Sequence, residues 1–236
     1  MRRFIDLQVH WPGSLEEAEL LASHLRKLGF KAVALTASKL EEAENRQTLK
    51  KVFEEKGVEA LSRLNLKPEG SRQLLEALRA CRRSFEIVSV ICLSKQVARQ
   101  AAKDHRVDTL LFPGRAVRLM DEAEVELARS SGVAFEFSLS MLLNLEGRLP
   151  GYLAEAGRNV KRALRKGIRL VFSSGASNIY GLRAPRDLAA TVETLLELPS
   201  GFGLLTVSKF PMEIVERNKA KLSRAFIEPG VRLVLG

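Results

Sequence analysis

The chain has 236 residues, 46% of them hydrophobic and 28% charged, enough apolar material for a sizeable core. Its net charge is +10 and its pI about 9.9, an imbalance that points to a polyanionic partner, either nucleic acid or an anionic membrane surface. No apolar run reaches the roughly eighteen residues of a membrane span, Met1-Arg2-Arg3 runs into acidic Asp6 rather than a signal-peptide core, and Cys81 and Cys92 make neither a disulfide framework nor a metal-ligand spacing. A reducing cytoplasm is therefore the expected setting. A heat-adapted surface raises Lys, Arg and Glu together, and a combined Asn and Gln count of eleven agrees with one, but neither explains the charge excess.

Short β-branched or apolar runs alternate with longer amphipathic stretches along the chain. Phe4–Val9 reads as the first strand and Leu15–Leu28 as the first helix, where Leu20, Leu21, His24, Leu25 and Leu28 form one stripe at helical spacing. The pattern repeats with strand Ala32–Leu35 and helix Asn45–Lys56, then Glu59–Leu64 and Ser71–Cys81, then Ile87–Ile91 and Lys95–Lys103. It continues with Thr109–Phe112 and Asp121–Ser130, Val133–Leu139 and Tyr152–Lys166, Arg169–Phe172 and Pro185–Leu196, and finally Gly203–Val207 and Met212–Lys221. Gly29, Gly57, Gly132 and Gly167 punctuate helix ends. Eight such units without a break in composition predict one α/β domain over 1–236, a closed parallel (β/α)8 TIM-like barrel. An open doubly wound sheet is the alternative. After Glu228-Pro229-Gly230 the alternation Val231-Arg232-Leu233-Val234-Leu235 predicts a short strand-like extension over 229–236, closing the barrel bottom or adding to a partner's sheet edge.

In a barrel the βα loops gather at the C-terminal ends of the strands. Here they carry His10, Ser38-Lys39, Lys67-Pro68, Ser94-Lys95, Pro113-Gly114-Arg115, Ser138-Leu139-Ser140, Ser173-Ser174-Gly175 and Ser208-Lys209. Serines and cations with few carboxylates suit phosphate rather than a divalent cation. The strand end Phe172-Ser173-Ser174-Gly175-Ala176 precedes a helix opening on Pro185, with Arg183 and Arg186 beside its positive end. Ser173, Ser174 and Gly175 are thus candidates for a phosphate loop, the competing reading being an Arg186–Asp187 pair and a solvated Arg183. Other cations cluster as Lys67 with Arg72, Arg79 to Arg83, Lys95 with Arg99, Arg115 with Arg118, and Arg158 to Arg169. In the last of these Arg158, Lys161, Arg162 and Arg165 make one helical stripe.

The chain's three histidines are His10, His24 and His105. Asp6, Gln8 and His10 are expected on one strand face, with Glu136 and Ser138 joining from the sixth strand as a polar hydrogen-bonded interior too poor in ligands for a two-metal site. Trp11 beside Pro12 reads as loop packing, with base stacking as the alternative.

Asp108-Thr109-Leu110-Leu111-Phe112-Pro113, Phe137-Ser138-Leu139, Arg183-x-Pro185-Arg186-Asp187-Leu188 and Val207-Ser208-Lys209-Phe210-Pro211 occur in this order. With them the chain resembles the archaeal ribonuclease P protein component 3 family, chiefly from Ile87 to Lys221. The resemblance implies a barrel-shaped subunit of the ribonucleoprotein that removes the 5′ leader of precursor tRNA, binding its catalytic RNA. It also implies pairing with protein component 2 in a two-plus-two assembly. Catalysis would belong to RNA with Mg²⁺, leaving this chain no catalytic residue, metal or cofactor. RNA contacts are then expected at Arg72, Arg99, Arg118, Arg165, Arg183, Arg186 and Lys209. Ser140-Met141 stands where relatives often carry Arg-Pro, so no role transfers there. Metal-dependent phosphoesterases of the polymerase and histidinol phosphatase class use a similar barrel and are the alternative. Their first strand ends on a His-x-His pair where this chain has Gln8-Val9-His10. A barrel enzyme acting on a small sugar phosphate is a weaker third.

Overall fold

Helix starts follow the side chains that satisfy their free N–H groups. Ser14 caps α1 (Leu15–Leu28) by accepting from Glu17 N, Ser94 caps α4 (Lys95–Ala102), Asp121 caps α5 (Glu122–Ser131) and Ser138 caps α6 (Leu139–Leu143). The remaining helices are α2 (Arg46–Glu55), α3 (Ser71–Cys81), α7 (Leu149–Arg165), α8 (Pro185–Leu195), α9 (Gly203–Thr206) and α10 (Lys209–Leu222). These belong to a computed structural model that describes residues 2–37 and 46–223 and the backbone of two short strands beyond them. The expected loop at Ser38-Lys39 lies outside the described residues.

Seven parallel strands run in sequence order: β1 (Phe4–His10), β2 (Phe30–Ala37), β3 (Glu59–Leu66), β4 (Ile87–Ile91), β5 (Thr109–Leu111), β6 (Ala134–Ser138) and β7 (Leu170–Ser173). The sheet curls into a nearly closed TIM-like barrel. Its seam between β1 and β7 is held by a bridge at Val9 and Ala176, His10 N to Ala176 O at 2.8 Å and Gly175 N to Gln8 O at 2.9 Å. Gly203–Val207, expected as an eighth strand, is instead α9 followed by one bond, Ile5 N to Val207 O at 3.0 Å. Gly203 sits so close to α8 that an added Cβ would collide with the Ala189 carbonyl, and this docking fixes the segment as a turn of helix.

Two apolar layers result. One lies between strands and helices. The other fills the barrel with Ile5, Leu7, Ala34, Leu61, Ile87 and Val171, closed from below by Ile214 and Val215 of α10. The expected peripheral eighth helix is therefore a plug across the N-terminal ends of the strands, tied there by Asn218 Nδ2 to Glu86 O at 2.8 Å and Arg217 to Asp108 at 2.7 Å. Near the C-terminus β8 (Phe226–Glu228) and β9 (Val231–Arg232) pair antiparallel; the rest of the expected extension over 229–236 lies outside the described residues.

Candidate nucleic-acid interface

The upper half of the barrel interior is polar and bonded chiefly to itself, with Arg63 Nη2 and Thr36 Oγ1 left without a partner among the described residues. Inward positions on successive strands place Arg63, Ser89, Thr109, Glu136 and Ser173 around one centre, all buried. Arg63 Nη1 donates to Glu136 Oε1 at 2.7 Å and to Leu7 O at 2.6 Å, while Nε donates to Asn65 Oδ1 at 2.8 Å. Glu136 also accepts from Ser173 Oγ at 2.8 Å and Thr109 Oγ1 at 2.6 Å, so both its oxygens are engaged. The donor set does not fit a metal: a guanidinium occupies the carboxylate a dication would need, and among the described residues no group of three or more His, Cys, Asp or Glu side chains is placed to hold one.

The expected common face of Asp6, Gln8 and His10 is broken. Between Asp6 and Val9 the β1 register slips by one residue against β2, because Asp6 pairs with Val33 and Val9 with Leu35. Asp6 therefore shares the outward side of Val33, whereas His10 stands in register with inward Thr36. Asp6 works at the seam instead, accepting from Ser174 N at 3.2 Å and Gln8 N at 3.1 Å. Burial pushes its carboxyl up to about 6 despite these bonds.

The serine loop serves that seam too. Ser173 donates to Glu136, Ser174 N to Asp6, Ser174 Oγ accepts from Ala176 N at 3.1 Å, and Gly175 donates to Gln8 O. Gly175 takes φ +66°, and a Cβ there would run into Ser140 Oγ. Ser173 and Ser174 are buried, and these donors face one another rather than solvent. Ser94 and Ser138 are spent as helix caps, so the serine enrichment of the βα loops reflects caps and closure.

The expected RNA-contacting cations separate into two groups at opposite ends of the barrel. At the C-terminal ends of the strands stand Arg72, Arg118, Arg183 and Arg186, all exposed. Arg72, with a 93% exposed side chain, pairs with Glu76 in a solvent-screened contact. Arg183 Nη1 is braced by Tyr180 O and Leu182 O, both at 2.7 Å, and Arg186 makes no ion pair with any described residue. Arg165 and Lys209 lie at the other end, at the foot of α7 and the head of α10, with Lys209 3.9 Å from Glu213. Arg99 belongs to neither group. Its guanidinium reaches Asp121 at 2.6 Å and Glu124 at 3.0 Å, bolting α4 to the first turn of α5. The stripe on α7 is half neutralised: Arg158 pairs with Glu155 and Lys161 with Glu197, while Arg162 reaches only the Asn159 amide oxygen and Arg165 makes no ion pair with any described residue. Arg63, the hub of the interior, was legible as the inward neighbour of Leu61 two positions on.

Fold and site together define a basic α/β barrel that presents charge at its ends and holds an Arg63–Glu136 ion pair at the centre of its interior. The model of the RNase P subunit p30 family matches residues 3–223, and the chain belongs to that family of ribonuclease P protein subunits. Ribonuclease P protein component 3 of Methanosarcina mazei is 26% identical over 236 residues, spanning 99% of this chain and 96% of that protein. The protein of the same name from Methanocaldococcus jannaschii is 29% identical over 154 residues, 64% and 66% of the two chains. A chain in the cryo-EM structure of archaeal ribonuclease P with mature tRNA has the same fold, with a TM-score of 0.83 at 22% identity over 98% of each chain.

Proposed function

We propose that this subunit holds the RNA of ribonuclease P mainly by phosphate contacts, acting in the cytoplasm as a scaffold for a catalytic RNA that works with Mg²⁺. The observation that carries the reading is the exposed set Arg118, Arg183 and Arg186, whose charges no described carboxylate neutralises. Arg72 adds to it, with Arg165 and Lys209 contributing at the opposite end. Arg99 acts by positioning α4 against α5. No residue of this chain is assigned an acid, base or nucleophile role, nor a bound cofactor. The M. jannaschii and M. mazei relatives are protein components of ribonuclease P by name, and precursor tRNA reaches this chain through the assembled particle.

Protein component 2 is the proposed protein partner, in a two-plus-two assembly. An apolar groove of about 1000 Å³ between α1 and α8, lined by Phe4, Leu28, Pro185, Ala189 and Leu204, offers a surface of the kind such a partner needs. The test is reconstitution with component 2 and ribonuclease P RNA. Light scattering should give the mass of two copies of each protein. Precursor-tRNA cleavage by the Arg118→Ala/Arg183→Ala/Arg186→Ala variant should fail at moderate salt and return with extra Mg²⁺. Wild-type cleavage by that variant across the salt series would refute the phosphate reading.

A further inference from the structure

The N-terminal end of the barrel carries a group of cations distinct from those at the end where βα loops gather. α3, α4 and α10 all finish there. Arg79 lies in the last turn of α3, Arg82 at its C-cap and Arg83 one residue on; Lys103 is the C-cap of α4; Arg106 precedes β5; and Lys221 lies in the last turn of α10. Contacts fix them as one patch. Lys221 Nζ reaches His105 O at 3.3 Å, and Arg82 and Arg217 share Asp108 at 3.6 and 2.7 Å. Three nearby carboxylates are already engaged, Asp108 by those two arginines, Asp104 by Arg106 at 2.7 Å and Glu86 by Lys50 at 2.7 Å, whereas Glu216 of α10 is exposed and makes no ion pair with any described residue. Arg79, Arg83 and Lys103 are exposed and make no ion pair with any described residue.

Helix dipoles explain part of this. One cation at each helix C-terminus is favourable, which accounts for Arg79 and Lys103. It does not account for Arg83 beyond the end of α3, nor for Lys221 set against Arg217 and Arg82. Burial first, and then repulsion from Arg217 and Arg82, hold the Lys221 ammonium below its ordinary range. A surface that keeps like charges together at such a cost, with Asp104, Asp108 and Glu86 already engaged, is complementary to a densely charged polyanion.

We propose that this end of the barrel is a second RNA-phosphate face, centred on Arg79, Arg82, Arg83, Lys103, Arg106 and Lys221. It rests on the reading that the chain binds RNA, and adds to Arg165 and Lys209 at this end a separate cluster on α3, α4 and α10. The cations sit on helix ends and short links, with no exposed aromatic side chain among the described residues there. The face therefore reads backbone charge, not sequence.

The test measures binding of ribonuclease P RNA, transcribed from the same genome, by fluorescence anisotropy over a KCl series. Arg79→Ala/Arg83→Ala/Lys103→Ala removes three cations that hold no structural contact. Each lost phosphate contact lowers the salt slope by about 0.7–0.9, so the triple variant should lose about 2–3 in slope and roughly 10- to 100-fold in affinity at moderate salt. Arg118→Ala/Arg183→Ala/Arg186→Ala, at the opposite end, should lose a comparable amount, and the two sets combined should lose more than either. Arg79→Lys/Arg83→Lys/Lys103→Arg keeps the charge and should keep the slope; loss of binding there as large as in the alanine variant would overturn the phosphate assignment. If the first triple binds like wild type while the opposite one weakens, the second face falls and the RNA reading stands. If neither weakens, the RNA reading itself falls, and this face with it. If the first triple binds RNA normally but no longer co-elutes with component 2, the face belongs to protein and the proposal is wrong.

Discussion

Glu136→Gln is expected to be the most damaging single-atom exchange in the barrel. The Glu136 and Arg63 side chains are both fully buried, and the carboxylate accepts from Arg63, Ser173 and Thr109. Removing its charge leaves the Arg63 guanidinium without a counter-ion, a loss of about 3–5 kcal/mol for a broken buried pair. The new amide NH₂ also faces donors, which adds about 1–3 kcal/mol for an unsatisfied group. Against a total stability of about 5–15 kcal/mol this is a large fraction. Arg63→Met/Glu136→Leu removes both charges together. Thr109 keeps its 2.5 Å bond to Ser89, while Ser173, Asn65 and Leu7 O lose partners. The double variant should therefore cost about 1–3 kcal/mol, less than the single. Urea unfolding at pH 7, with midpoint and slope both fitted, gives the comparison. A Glu136→Gln protein within about 1 kcal/mol of wild type, or a double variant as unstable as the sum of its singles, would refute the view of this pair as the hub of the interior.

Two further outcomes follow from the packing. Burial, outweighing Arg99, holds the Glu124 carboxyl up to about 7 from an ordinary 4.5. A raised folded value stabilises fully below about pH 4.5 and is lost as pH rises through 7, by about 3 kcal/mol. Glu124→Gln should thus flatten the fall in urea midpoint between pH 5 and pH 8, and parallel curves for the two proteins would contradict it. Gly203→Ala should cost about 1–3 kcal/mol by driving α9 off Ala189, whereas Gly151→Ala, with open space in α7, should gain about 0.4–1 kcal/mol. Thermal melts moving in the same direction for both would count against the close α8–α9 contact.

Periodicity carried most of the fold, because each strand–helix unit is local: the first seven strands and the helices between them stand, within a few residues, where the pattern puts them. What failed depends on distant partners. Gly203-Leu204-Leu205-Thr206-Val207 has strand composition, and only its contact with Ala189 makes a helix of it. The slip between Asp6 and Val9 cannot be read from β1 alone, since a bulge exists only relative to the neighbouring strand. The pairing within the α7 stripe could not be read from that helix alone, because Glu197, which relieves Lys161, lies beyond the end of α8. Family motifs brought the function; the division of the cations between two ends needed coordinates.

That division bears on how a barrel of this kind serves RNA. A dication entering the interior would first have to part Arg63 from Glu136, and pay for both buried charges before gaining a ligand. An anion arriving at either end meets guanidinium groups already fixed, Arg183 by two backbone carbonyls and Arg82 by Phe85 O at 2.9 Å. On the proposed reading, phosphate bound at the α10 end relieves the repulsion of Lys221 by Arg217 and Arg82 and asks nothing of the core. Charge at the ends and a closed interior thus follow from one arrangement: α10 plugs the barrel from below, the Ser173–Gly175 loop seals its seam, and the cations used in neither closure are those proposed to face RNA.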